Sequence, residues 1–174
     1  DSLSILALFE NDSLISAWGF TPETFKAMFI PNTYEFYWTT SATEFAERMK
    51  TEYDRFGDAS RGQKAEEIEM SPLEVSTLAS IVQAETTKPE ELPRVAGLYI
   101  NRLQRGIPLQ ADPTVKFAVG DFTLKRILNK HLEIDSPYNT YKHAGLPPGP
   151  INFPEISAIN AVLNYEDHNF LYMV

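Results

Sequence analysis

One helix-start signal, followed by a stripe of apolar residues, constrains this chain more than any other feature. Ser71-Pro72-Leu73-Glu74 combines a capping box with a proline at the first helical position, so a helix begins there. The core-facing positions that follow at helical spacing are Val75, Leu78, Ile81 and Val82. The next position on that face holds Glu85. The sequence therefore predicts a helix from about 72 to 86 whose apolar stripe ends on a carboxylate.

The position of Glu85 has two interpretations. The helix dipole disfavours a second negative charge near a helix C-terminus, and burial also raises the pKa of a carboxyl group. A glutamic acid that stays protonated near neutral pH is suited to general-acid catalysis. The alternative is a glutamate at the edge of the core, paired with an arginine such as Arg94 or Arg102.

Helical patterns dominate the rest of the chain. A capping box at Ser41-Ala-Thr-Glu44 opens another helix, and a further one covers about 90 to 105. The aromatic stretch 34–38 and the last residues, 169–174, favour short strands. The 174 residues and 43% hydrophobic content suffice for one substantial core. We therefore expect an α+β fold that is predominantly helical with a few short strands.

Charge and composition exclude several classes of protein. The formal net charge of −9 argues against a general nucleic-acid binder. The chain has no cysteine, its histidines lack metal-ligand spacing, and no phosphate-binding glycine loop is present, so neither a metal nor a cofactor is expected. Residues 88–130 nevertheless hold eight basic and four acidic residues. That segment is either a face for an anionic polymer or a solvated mixed surface.

The segment "QADPT", residues 110–114, offers polar side chains beside a helix start. Asp112 precedes Pro113 and is predicted to be the N-cap of a short helix that ends at Gly120. Gln110 and Thr114 add hydrogen-bonding groups that suit the amide or hydroxyl of a sugar. The alternative is an ordinary capped turn.

The segment "YNTY", residues 138–141, interleaves aromatic rings with polar side chains. Tyr138, Asn139 and Thr140 together suit carbohydrate, whose rings have an apolar face and many hydroxyls. The alternative is a turn after Pro137 with its tyrosines packed on the core.

Several long motifs, taken in order, resemble one family. They are "FIPNTYEFYWTTSA", "ASIVQAET", "VAGLYINRLQRGIPLQADPTVKFAVG" and "DSPYNTYKHAGLPPGPI". The resemblance is to the YceG-like (MltG) family of endolytic murein transglycosylases, and it covers residues 27–174. It implies a YceG-like lytic transglycosylase domain over 27–174, truncated at its C-terminus. Residues 1–26 would then be a remnant of a preceding LysM-like region or a connecting helix.

The resemblance also implies an activity, a location and partners. A family member is a bacterial enzyme held in the cytoplasmic (inner) membrane by one N-terminal helix, which is absent from this chain. Its catalytic domain faces the periplasm and cell wall. It cleaves the β-1,4 bond between N-acetylmuramic acid and N-acetylglucosamine in nascent peptidoglycan strands and leaves 1,6-anhydro ends. The implied partners are glycan strands and peptidoglycan synthases, the penicillin-binding proteins.

The implied catalytic residue is Glu85, acting first as acid and then as base. Ordinary glycosidases need two carboxylates, whereas a lytic transglycosylase uses a hydroxyl of its own substrate as the nucleophile. Two alternatives stay open: a lysozyme-like hydrolase with Asp112 or Asp135 as the second carboxylate, and a non-catalytic glycan-binding module. The expected substrate-binding residues are Gln110, Asp112, Thr114, Tyr138, Asn139 and Thr140.

Overall fold

The computed structural model describes residues 2–173, with the exception of the side chains of Ser2 and Ala59. Nine α-helices form within those residues, together with 3-10 turns at Phe25–Met28 and Pro89–Glu91. The α-helices are α1 (Ser2–Leu8), α2 (Asp12–Ala17), α3 (Ala42–Phe56), α4 (Ala59–Glu67), α5 (Pro72–Glu85), α6 (Leu92–Gln104), α7 (Asp112–Val119), α8 (Asn129–Leu132) and α9 (Ile156–Leu163).

The helix starts follow the capping signals of the sequence. Both predicted capping boxes form, and in the second the Ser71 amide donates to Glu74 Oε2 at 2.8 Å. Helix α7 ends at Gly120 as expected, with φ at 75°. The predicted N-cap at Asp112 is wrong, because Ala111 occupies the cap position and Asp112 is the first helical residue. The Asp112 carboxylate instead accepts a hydrogen bond from the Tyr141 hydroxyl.

The predicted short strands are also wrong for residues 2–173, where no β-strand forms. Residues 34–37 have no regular secondary structure, and the same holds for most of 164–173. Side chains of α6 take the place of a partner strand at the end of the chain, since Asn101 Nδ2 donates to the carbonyls of His168 (2.7 Å) and Phe170 (3.1 Å). Val174, the last residue of the predicted closing strand, lies outside the described residues.

Helix α5 is the centre of the main core. It packs against α6, α7 and α9, and all residues from Val75 to Val82 are buried. A helix that is buried on every side must satisfy its polar side chains internally. Thr77 Oγ1 therefore donates to the Leu73 carbonyl at 2.8 Å, and Ser80 Oγ donates to the Thr77 carbonyl at 2.7 Å. No helix within residues 2–173 is long and apolar enough to cross a membrane.

A second, aromatic core lies in the N-terminal third of the chain. It contains Ile15, Phe20, Phe25, Met28 and Met49, so the segment before α3 packs onto α3. The loop before α9 crosses the N-terminal segment at Gly149. A Cβ atom on Gly149 would lie 2.3 Å from the carbonyl oxygen of Glu23, so only glycine fits there.

Gly97 of α6 gives a direct test of how the C-terminal segment packs. A Cβ atom there would lie 2.3 Å from the Glu166 carbonyl oxygen and 2.9 Å from His168 Nε2. We expect Gly97→Ala to destabilise the protein by about 1–3 kcal/mol through this clash, although alanine is the better helix former. Thermal unfolding measures the effect. Gly62→Ala on α4 is the control, because nothing lies within 4 Å of its Cβ position, and the predicted change there is a small stabilisation. Equal changes in the two variants would contradict the close packing.

Candidate active site

Glu85 is the last residue of α5, and the loop before α9 fixes that end of the helix. The Ile151 amide donates to Ser80 Oγ at 3.0 Å. One turn further on, Gln83 Oε1 accepts from the Glu155 amide at 2.7 Å. These bonds hold the final turn of α5 against the rest of the core, and they therefore fix the position of the Glu85 backbone.

The Glu85 carboxyl group is half-buried and has a tyrosine as its hydrogen-bond partner. Burial raises its pKa, and the nearby negative charge of Asp112 acts in the same direction. The Tyr99 hydroxyl donates to Glu85 Oε1 at 2.7 Å, which stabilises the ionised form and offsets part of the rise in pKa. The net effect is a raised pKa, so Glu85 is protonated over a wider range of pH than an exposed glutamate is. General-acid chemistry requires such a protonated group.

Neither arginine of the alternative interpretation pairs with Glu85. Arg94 Nε contacts Glu166 Oε2 at 3.2 Å. Arg102 is buried and directs its guanidinium to main-chain carbonyls and to Gln110. The interpretation of Glu85 as an arginine-paired structural residue is therefore wrong.

A second carboxylate–tyrosine pair lies beside the first. The Tyr141 hydroxyl donates to Asp112 Oδ1 at 2.6 Å. The pKa of Tyr141 is raised, first by burial and then by its bond to Asp112, and burial together with Glu85 raises the pKa of Tyr99. Both tyrosines are therefore neutral hydroxyl donors at physiological pH.

Glu85 and Asp112 lie at the junction of two openings. The wider one has a volume of about 540 Å³ and is lined by both carboxylates, Lys116, Phe122 and the loop after α7. The narrower one, about 320 Å³, is lined by the same two carboxylates together with Tyr99, Gln110 and Tyr141. Both openings share Glu85 and Asp112, and we call the two openings together the groove.

Arg102 holds the loop that leads from α6 to Asp112. Its Nη1 donates to the carbonyls of Pro108 (3.0 Å) and Leu109 (2.8 Å) and to Gln110 Oε1 (3.2 Å). Its Nε donates to the Leu171 carbonyl at 2.7 Å. One buried side chain thus connects the end of α6, the loop and the C-terminal segment. Gln110 adopts a positive φ of 52° within this loop, a conformation that L residues seldom adopt.

The structure divides the expected substrate-binding residues into two groups. Gln110 and Asp112 are exposed at the groove. The other four lie elsewhere. Thr114 and Thr140 are buried, and their hydroxyl groups form a hydrogen bond of 2.8 Å with each other. Asn139 is fully buried, and its Nδ2 donates to the carbonyls of Leu132 and Ile134.

The remaining expected residues, Tyr138 and Asp135, are not among the residues that line either opening. Tyr138 is half-buried, with its ring centroid 4.7 Å from that of Phe117, and it does not line either opening. Asp135, a candidate second carboxylate, does not line them either. Substrate binding stays a prediction for all six residues, of which Gln110 and Asp112 are exposed at the groove and Thr114, Asn139 and Thr140 are buried.

Three residues of the site were not expected from the sequence. From the sequence, Tyr99 on the apolar stripe of α6 is predicted to be a core residue. Arg102 is predicted to be a cation in the last turn of that helix, and Tyr141 to be part of a turn. A weak signal existed for Tyr99, since a tyrosine on a buried stripe needs a partner for its hydroxyl. That partner is Glu85 on another helix, which sequence spacing does not reveal.

Comparison with known proteins gives consistent matches. A protein named endolytic murein transglycosylase from Bacillus subtilis is 44% identical over 98 residues, which are 56% of this chain and 27% of that protein. One of the same name from Streptococcus pneumoniae is 38% identical over 105 residues, 58% of this chain and 19% of that protein. The matched region is thus about a quarter or less of each relative's length.

The fold also has a solved counterpart. A crystal structure of a YceG-like protein from Listeria monocytogenes superposes with a TM-score of 0.82 and 31% sequence identity, and it covers all of this chain and 62% of that protein. The sequence profile of the YceG-like family matches residues 4–174. The profile match extends over nearly the whole chain, and so the chain belongs to the YceG-like family.

Proposed function

We propose that this chain is the catalytic part of an endolytic peptidoglycan lytic transglycosylase. The observation that carries the proposal is Glu85, a half-buried carboxyl group with a raised pKa that lines both openings of the groove. A strand that occupies both openings would place one of its internal bonds at Glu85. The names of the Bacillus and Streptococcus relatives support the same activity.

In the first step Glu85 acts as a general acid. Its proton passes to the oxygen that bridges N-acetylmuramic acid and N-acetylglucosamine, and the bond from that oxygen to C1 of the muramic acid breaks. The departing strand leaves with a free hydroxyl, and the muramic acid ring becomes oxocarbenium-like. Tyr99 assists, because its hydroxyl bond stabilises the Glu85 carboxylate as the negative charge forms.

In the second step the Glu85 carboxylate acts as a base. It takes the proton from the C6 hydroxyl of the same muramic acid, whose oxygen bonds to C1 and closes the 1,6-anhydro ring. Glu85 is then protonated again for the next cycle. The nucleophile belongs to the substrate, so it has a high effective concentration and no water molecule is consumed.

One observation favours a second candidate, a hydrolase. Asp112 lines both openings beside Glu85, and its carboxylate forms no ion pair with any of the described residues. A second carboxylate at this place would suit the activation of a water molecule.

Mass spectrometry of the products in isotopically labelled water separates these candidates. The proposed lytic reaction gives anhydro ends that are lighter by one water and contain no label. Hydrolysis gives reducing ends with one labelled oxygen, and this result would replace the proposal by the second candidate. Binding to glycan strands without any new ends would indicate a non-catalytic module.

The Tyr99–Glu85 hydrogen bond makes a prediction about pH dependence. Tyr99→Phe removes a donor that lowers the pKa of Glu85, so the pKa rises further in the variant. Cleavage requires the protonated acid, and it is lost as the pH rises through that pKa. We therefore expect the alkaline limb of the profile of kcat/KM against pH to move to higher pH. Tyr165→Phe is the control, because Tyr165 does not line either opening. An unshifted limb in Tyr99→Phe would contradict the role of the bond.

The location and the partners of the full-length protein are proposals as well. They rest on family membership: a single-pass protein of the cytoplasmic membrane, with this domain on the side of the periplasm and cell wall, working beside peptidoglycan synthases. Fractionation of cells and cross-linking of the full-length protein to penicillin-binding proteins test them.

A further inference from the structure

A group of unpaired cations lines one side of the groove. Lys116, Lys125 and Arg126 all line the wider opening, together with Glu85 and Asp112. None of the three forms an ion pair within the described part of the chain. The protein as a whole has a formal net charge of −9, so a group of three cations differs from the average charge of the protein.

Two separate elements contribute these cations, which we call the basic wall. Lys116 lies on α7, one helical turn after Asp112, and it is half-buried. Lys125 and Arg126 are exposed on the loop between α7 and α8. Phe122 of the same loop is 65% exposed and lines the same opening. The wall therefore offers positive charge beside apolar surface, the combination that suits a carboxylate carried on a partly apolar group.

The narrower opening has no comparable group of positive charges. Its lining contains one cation, Arg102, which is buried and already bonded to main-chain carbonyls. The groups directed toward that side include the Tyr99 and Tyr141 hydroxyls and the Gln110 amide. These are neutral groups of the kind that bind an uncharged sugar.

The two sugars of peptidoglycan differ in the same way. N-acetylglucosamine carries no charge. N-acetylmuramic acid carries on C3 a lactyl group that ends either in its own carboxylate or in a peptide stem with free carboxylates. Resting on the proposed function, we infer that the basic wall binds the carboxylate-bearing C3 substituent of the muramic acid next to the cleaved bond. The wall then makes the groove selective for peptidoglycan over uncharged glycans of the same backbone.

A binding experiment with paired variants tests this inference. The Glu85→Gln protein serves as background, and labelled, stem-bearing glycan strands serve as the probe. We expect Lys125→Gln with Arg126→Gln to raise the Kd by about three- to tenfold, because two exposed charge contacts are lost. The difference should shrink at about 0.5 M salt, where exposed charges are screened. Arg105→Gln with Lys130→Gln is the control, because it removes the same two charges from exposed positions outside the groove lining and should leave the Kd unchanged.

Three further probes identify the anion. Amidase-treated strands keep only the lactyl carboxylate, amidated stems lose their peptide carboxylates, and chitin oligosaccharides have no carboxylate at all. An effect that persists on amidase-treated strands assigns the wall to the lactyl carboxylate. An effect confined to stem-bearing strands and abolished by amidation assigns it to the stem.

Two results would overturn the inference: an equal loss of affinity for chitin oligosaccharides, or an equal effect of the control pair. Neither result depends on cleavage. Absence of anhydro products from the wild-type protein, with the binding preference intact, would refute the proposed function and leave the basic wall in place.

Discussion

Replacing Glu85 by glutamine is expected to reduce glycan cleavage by roughly a hundred- to ten-thousand-fold, the usual effect of removing a general acid. Glutamine keeps the size of the side chain and an oxygen that accepts from the Tyr99 hydroxyl, 2.7 Å from Glu85 Oε1 in the native protein. It has no proton to donate to the glycosidic oxygen and is not a base for the second step. Release of anhydro-ended fragments, measured by chromatography and mass spectrometry, gives the rate.

Stability measurements separate this effect from misfolding. The folded-state pKa of Glu85 is raised, so the stability contributed by its neutral form is present at pH values below the unfolded-state pKa and lost as the pH rises through the folded-state pKa. Glutamine is neutral throughout. Glu85→Gln should therefore be at least as stable as the native protein at neutral pH. Glu66→Gln, an exposed carboxylate on α4, is the control and should cleave normally. Cleavage by Glu85→Gln at the rate of that control would refute the mechanism.

Replacing Arg102 by methionine is expected to cost about 2–4 kcal/mol of stability, because the carbonyls of Pro108, Leu109 and Leu171 lose a charged donor. For a chain of this size that corresponds to a fall in Tm of roughly 4–16 °C. The loop before Asp112 also loses its anchor, so cleavage by the folded variant should decrease as well. Calorimetry and the cleavage assay measure the two effects.

Arg105→Met is the matched control for Arg102→Met. Arg105 follows three residues later at the end of α6 and is exposed. Its replacement is expected to change stability by no more than about 0.5 kcal/mol, as for most surface substitutions. Similar losses in the two variants would show that the buried hydrogen bonds of Arg102 contribute little.

The strands were predicted wrongly for a physical reason. The stretches 34–38 and 169–174 are rich in aromatic residues, which favour strands, but a strand forms only beside a second one. In residues 2–173 no partner strand is present, and Asn101 and Arg102 of α6 bond to the carbonyls of the final segment instead. Composition indicates an extended backbone, and only the tertiary structure decides what it pairs with.

The sequence by itself determined the starts of α3 and α5 and the candidate acid. Capping boxes and proline at the first turn act within four residues, so α3 and α5 begin where the sequence predicts, and the end of the stripe on α5 singles out Glu85. The partners of that acid come from far along the chain: Tyr99 from α6, and Asp112 with its own partner Tyr141. Local hydrogen bonds are encoded by neighbouring residues. The groove, its charge and the environment that raises the pKa of Glu85 arise instead from contacts between helices that are distant in sequence, and only the packed structure brings those helices together.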